Sequence, residues 1–164
     1  LLLLLLLLVL RRRATWRGFA TAAAVVAALT GVAVPLALPA RGTSAALEEG
    51  WVAFDAAAIP GLVAEGRRVF VDVTAEWCVT CLANKQLVLD QDSVQALLAG
   101  DDVVAMRADW TRPDPAINAY LERFGRFGIP FNVVYGPGAP QGLPLPELLT
   151  ESAVREALAK AARP

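Results

Sequence analysis

The sequence has 164 residues, 56% hydrophobic and 19% charged, with a formal net charge of −1, enough for one ordinary domain and roughly forty residues more. Four Trp and six Phe in an apolar background exclude a disordered chain. Nucleic acid is excluded as a partner because all 16 acidic residues follow Leu47, so the folded part presents no basic face. With no His and only two Cys, His-based acid–base catalysis, Cys–His dyads and a zinc site within one chain are excluded as well. No cofactor is called for.

In chain order, Leu1–Leu10 is wholly apolar but covers only about 15 Å as a helix, and reads as the end of a truncated transmembrane helix. Residues 11–17 (RRRATWR) form a basic loop expected to stay in the cytoplasm. Gly18–Ala40 is a run of 23 uncharged residues, about 35 Å of helix, and predicts a transmembrane span. A cleaved signal peptide fits less well, because a Leu-rich stretch precedes the arginines and Leu38 and Ala40 make a poor cleavage site. Residues 41–50 are small and polar and read as a linker, leaving 51–164 as the globular domain.

Within that domain Trp51–Phe54 predicts a short strand, Ala56–Glu65 a helix interrupted at Pro60-Gly61, and Arg68–Thr74 (RVFVDVT) a strong strand. A helix is predicted from Cys78 to about Leu89, and another over Asp92–Ala99 with Asp92 or Ser93 as its cap. Val103–Ala108 predicts a strand, Asp114–Phe124 an amphipathic helix and Phe131–Tyr135 a strand. Leu143–Leu149 reads as an edge strand limited by Pro144 and Pro146, and Glu151–Ala162 as the closing helix. Helices inserted between strands predict an α/β architecture, a central sheet covered on both faces.

The chemistry is concentrated in Glu76-Trp77-Cys78-Val79-Thr80-Cys81, where a buried strand gives way to a helix. Cysteines at i and i+3 across a first helical turn lie on one face, close enough to bond. Cys78 sits at the positive end of the helix dipole, which favours its thiolate, the species that attacks a disulfide. Cys81, one turn further in, is the natural resolving thiol. A zinc site would have to be shared between chains. A purely structural disulfide closing so small a loop would contribute only about 2 kcal/mol. Redox exchange is the better reading. Asp72 lies six residues before Cys78 in an otherwise apolar strand. Desolvated there, its carboxyl would have a raised pKa and could accept the Cys81 proton; turned to solvent, it would do neither. Trp77 is either an exposed flank for partner contact or a packing residue.

The run Val71–Cys81 (VDVTAEWCVTC) resembles the active-site strand and turn of the thioredoxin superfamily, and Gly128-Ile129-Pro130 falls where that fold keeps its cis-proline. With Asn84-Lys85, Ala108–Thr111 (ADWT), Gly128–Gly138 and Leu145–Leu149 (LPELL), residues 51–162 are similar to the C-terminal domain of DsbD/ScsB-type thiol:disulfide interchange proteins. The resemblance implies a thioredoxin-like fold with a mixed sheet, a redox-active Cys78–Cys81 pair, and backbone groups of Ile129 beside Pro130 that receive an extended partner peptide. It also implies a reductase attached to the inner membrane with its domain in the periplasm. Electrons would come from a membrane domain of the same full-length chain and pass to extracytoplasmic disulfide proteins, a sister domain or a cytochrome-maturation protein. Val79-Thr80 in place of Gly-Pro, and Leu82 and Lys85 where relatives carry other charges, are departures that bear on the thiol pKa. An oxidase or isomerase on the same fold, and a tethered binding module with an inert CxxC, are the alternatives.

Overall fold

A computed structural model describes residues 48–162. The elements are β1 (Trp51–Ala53), α1 (Ile59–Ala64), β2 (Arg68–Thr74), α2 (Val79–Asn84), a π-helical turn (Lys85–Leu89), α3 (Asp92–Leu98), β3 (Val103–Asp109), α4 (Pro115–Glu122), β4 (Phe131–Gly136), β5 (Ala139–Pro144) and α5 (Glu151–Ala161). The membrane span expected at 18–40, the apolar stretch 1–10, the basic loop 11–17 and most of the linker lie outside the described residues. Among the described residues no helix is long and apolar enough to cross a membrane.

The five strands form one mixed sheet in the order β1-β3-β2-β4-β5. β2 is central, parallel to β3 and antiparallel to β4. Its alternation sorts side chains by face. Val69, Val71 and Val73 join Ile59, Ile117, Tyr120 and Leu121 beneath α1 and α4. Phe70 joins Val88, Leu89, Val94, Val154 and Leu158 beneath the π-helical turn, α3 and α5. The central strand is thus covered on both faces, which is why its sequence is a nearly unbroken β-branched run. Phe70 is fully buried, a transfer that stabilises by roughly 1.5–3 kcal/mol.

Four expectations are corrected. Pro60 does not interrupt α1; it occupies the first turn, where its missing N–H has no intrahelical partner to lose. The helix after Cys78 is not uniform: Asp90 N–H donates to the Lys85 carbonyl at 2.8 Å, and residues 85–89 form a π turn. Neither Asp92 nor Ser93 caps α3; Gln91 holds the cap position without a side-chain bond, and Ser93 Oγ donates to Glu151 instead. The edge strand runs over Ala139–Pro144 rather than 143–149, because the chain reverses at Pro137-Gly138 and pairs back on β4 at once. Pro140 and Pro144 are tolerated because β5 is an edge. Residues 145–150 instead fold down as a loop, with Leu145 and Leu149 buried in the core.

Candidate active site

β2 ends at Thr74, and four residues later the chain enters α2 with Cys78 at the N-cap. Cys78 and Cys81 form a disulfide with Cα atoms 5.2 Å apart. Cys78 Sγ also accepts the Cys81 N–H at 3.2 Å, so the sulfur caps a helix N-terminus that would otherwise lack an acceptor. Both cysteines are buried, at 6% and 4% exposure, so burial hardly separates them. Position does: Cys78 precedes the helix and Cys81 lies inside its first turn.

Ala75 and Ile129 pack against the two sulfurs' residues. The Ile129–Pro130 peptide is cis, Pro130 is buried and Ile129 is half-buried. Trp77 is 59% exposed; its Nε1 donates to the Thr111 carbonyl at 3.1 Å and its ring lies 6.2 Å from that of Trp110. The Trp110–Thr111 turn is itself fixed, by Thr111 N–H on Asp109 and Trp110 Nε1 on Asn118. Val79 and Phe127 are more exposed still. Arg126, next to Phe127, pairs with Glu147 of the 145–150 loop. Asn84 holds the same loop from the other side, donating to the Glu147 carbonyl at 2.7 Å and accepting Leu149 N–H at 3.0 Å. The sulfur pair is thus covered, while Trp77 and Val79 on either side of Cys78 in the chain are exposed.

On the face of β2 that also carries Phe70, the sheet register creates a polar row. Asp72 on β2 stands opposite Arg107 on β3 and opposite Asn132 on β4. Arg107 Nε donates to Asp72 Oδ2 at 3.2 Å, and Asn132 Nδ2 to Asp72 Oδ1 at 2.9 Å. Asp72 is buried, and desolvation pushes its carboxyl above the usual range against the opposing pull of Arg107, Asn132 and the more distant Lys85. Arg107 stacks over the Trp51 ring at 3.9 Å, and its Nη1 donates to Glu48 at 2.9 Å. Glu48 in turn accepts Lys85 Nζ at 2.9 Å, and Lys85 also holds Asp90. An ionic chain thus runs from the buried carboxyl to the surface through the end of the active-site helix.

Sequence reasoning singled out Cys78, Cys81, Asp72, Trp77, Ile129 and Pro130, and the structure brings all six to one end of the sheet. It missed Arg107, Asn132, Glu48 and the clamping role of Asn84. The signal for two of these was present: Arg107 and Asn132 are lone polar residues in otherwise apolar strands, as Asp72 is. In Glu48, assigned to the linker, no local pattern marks a contact with residues 85 and 107.

A thioredoxin-like family model matches residues 50–137. Among curated proteins, the chain is 37% identical over 78 residues to the thiol:disulfide interchange protein DsbD of Ralstonia nicotianae, covering 48% of this chain and 12% of that protein. It is 33% identical over 76 residues to DsbD 1 of Pseudomonas aeruginosa, covering 46% and 12%. The chain therefore spans only about an eighth of the length of these relatives. Among solved structures, the oxidised C-terminal domain of Neisseria meningitidis DsbD is similar with a TM-score of 0.52 at 23% identity, over 64% of this chain and 90% of that one. A thioredoxin from Thermus thermophilus is similar with a TM-score of 0.51 at 22% identity, over 67% and 84%. These likenesses establish the fold.

Proposed function

This chain belongs to the thioredoxin-like family, and from that premise we propose that it is a membrane-anchored thiol:disulfide reductase serving extracytoplasmic proteins. The observation that carries the reading is the Cys78–Cys81 disulfide at the start of α2, with a buried carboxyl, Asp72, on the strand that leads into it. In the reduced form the Cys78 thiolate attacks a partner disulfide, forming a mixed disulfide and releasing one partner thiolate. Cys81 then gives its proton to Asp72 and attacks Cys78 Sγ. The Cys78–Cys81 bond re-forms, the second partner sulfur leaves as thiolate, and two electrons have passed to the partner.

The exposed apolar side chains of Trp77 and Val79, which flank Cys78 in the chain, support contact with a protein rather than a small thiol. Beside the cysteines, the half-buried Ile129 preceding the cis bond is suited to pair with an extended partner segment. Similarity to two DsbD proteins supports a place in a longer chain, whose membrane domain would re-supply electrons. The uncharged run Gly18–Ala40 supports anchoring, with Arg11–Arg17 on the cytoplasmic side and the domain in the periplasm.

Two measurements test this. The dithiol chain should reduce a disulfide-containing protein with a stoichiometry of one disulfide per chain, and lose that ability when both cysteines are replaced by Ser. A reporter fused after Pro164 should be active only outside the cytoplasm; activity confined to the cytoplasm would overturn the proposed topology.

A further inference from the structure

Asp72 has two side-chain partners, and they differ in kind. Arg107 can only donate. Asn132, 1% exposed on the neighbouring strand, carries both a donor and an acceptor. Its Nδ2 faces the carboxyl at 2.9 Å, and its Oδ1 is buried with no hydrogen-bond partner. An ionised Asp72 is well served by this arrangement, since both neighbours donate to it. A protonated Asp72 is not, because its O–H would face an Arg107 N–H on one side and an amide N–H on the other.

A half-turn of the Asn132 amide about its terminal torsion resolves the conflict. It places Oδ1 where Nδ2 stood, at the same separation from Asp72, ready to accept the acid proton. Because Oδ1 holds no other partner, the turn breaks no second hydrogen bond. Either orientation leaves one amide atom without a partner, so neither is locked by the surroundings. The other charged groups around Asp72 do not supply this acceptor: Lys85 acts from a distance and is itself a donor, and Glu48 is engaged by Arg107 and Lys85. On the side of α2, Cys78 and Cys81 are bonded to each other.

We propose that Asn132 is a positioning residue that follows the proton on Asp72, presenting its amide nitrogen to the carboxylate and its amide oxygen to the carboxylic acid. The inference rests on the reading of Asp72 as the acceptor of the Cys81 proton. In that step one proton passes from Cys81 Sγ to Asp72 Oδ1 and the electron pair left on sulfur attacks Cys78 Sγ. Asn132 gains and loses no atoms; it reverses one hydrogen bond. It thereby satisfies the buried carboxyl in both protonation states without movement of the sheet.

The test uses the full chain in detergent micelles, labelled with ¹³C and ¹⁵N, across pH 5–10. The Asp72 carboxyl carbon and the Asn132 side-chain amide should titrate with one midpoint, and the nuclear Overhauser contacts of the amide protons should move from the Asp72 side to the opposite side as Asp72 is protonated. A carboxyl that titrates while the Asn132 amide keeps its contacts would overturn the proposal. In parallel, Asn132→Leu should slow reduction of the disulfides of insulin, a protein probe, by the dithiol chain by about tenfold; a rate equal to the wild type's would count against it. Failure of the wild-type chain to reduce the probe, with the amide still tracking Asp72, would instead overturn the exchange reading and leave the Asn132 switch standing.

Discussion

Arg107 stands directly opposite Asp72 in the β2–β3 register and donates to it from Nε at 3.2 Å, yet the Asp72 carboxyl remains above the usual carboxylate range. Burial outweighs the ion pair because the guanidinium is shared. Its Nη1 is committed to Glu48, and its Nη2 is buried without a partner. The pair is therefore not a fork on a carboxylate but a single bond to a group that retains its affinity for a proton.

Asp72→Asn should leave the fold intact and slow exchange by about 10²-fold or more, the range expected for loss of a positioned proton acceptor. It should also change stability against pH. A carboxyl whose folded pKa is raised binds more protons folded than unfolded, so stability falls as pH climbs from the unfolded value through the folded one, by about 1.4 kcal/mol per unit of separation. Thermal melts from pH 3 to pH 9 should show this decline in the wild type and its loss in Asp72→Asn. Parallel curves would return Asp72 to a purely structural role.

Glu48→Gln should release Arg107 toward Asp72 and so lower the midpoint at which Asp72 titrates, as read from its carboxyl carbon. Its own effect on stability should be small, about 0.5 kcal/mol, because the side chain is nearly half exposed. The sign is opposite to that of Asp72. Lys85 and Arg107 hold the Glu48 carboxyl below the usual range, so its contribution is present above the unfolded value and is lost as pH falls through the folded one. An Asp72 midpoint that stays or rises in Glu48→Gln would show that Arg107 is not shared in this way.

Cys81→Ser should accumulate mixed disulfides through Cys78, since the intermediate forms and cannot resolve. Near-equal burial of the two cysteines makes this a test of their positions alone: the N-cap sulfur is expected to attack and the sulfur within the turn to resolve. Better trapping by Cys78→Ser, seen as a band lost on reduction, would reverse the roles.

Gly136→Ala tests the packing of α5 on the sheet. A methyl group at 136 would run into the Ala161 carbonyl, coming within 2.9 Å of its carbon, at the very end of that helix. Overpacking of this kind should cost about 1–3 kcal/mol in a denaturant melt. No change in the midpoint would mean that α5 yields at its C-terminus.

The central strand was legible residue by residue because Arg68–Thr74 is buried on both faces and its β-branched run has no other use. Cys78 and Cys81 were legible from spacing, and the strand-to-helix change around them from local pattern. The polar row was not. Asp72, Arg107 and Asn132 are brought together by strand register across 35 and 60 residues of sequence, and register is decided by the whole sheet rather than by any one strand. The edge position of β5 was legible from its prolines but its bounds were not, because the reversal at Pro137-Gly138 decides where pairing begins. Glu48 carries no periodic signal at all, and only the folded chain shows it seated between Lys85 and Arg107.

The central claim is that the Cys78–Cys81 pair donates electrons, and its reduction potential tests this most directly. Val79-Thr80 between the cysteines brings no His to stabilise a very acidic thiolate, and the proposed membrane attachment would suit a protein that must draw electrons from within. Equilibration of the chain against glutathione and dithiothreitol buffers should give a value near that of thioredoxin, about −270 mV. A value above about −150 mV, approaching the about −120 mV of the strong oxidant DsbA, would contradict the reductase account and favour an oxidase or isomerase on the same fold.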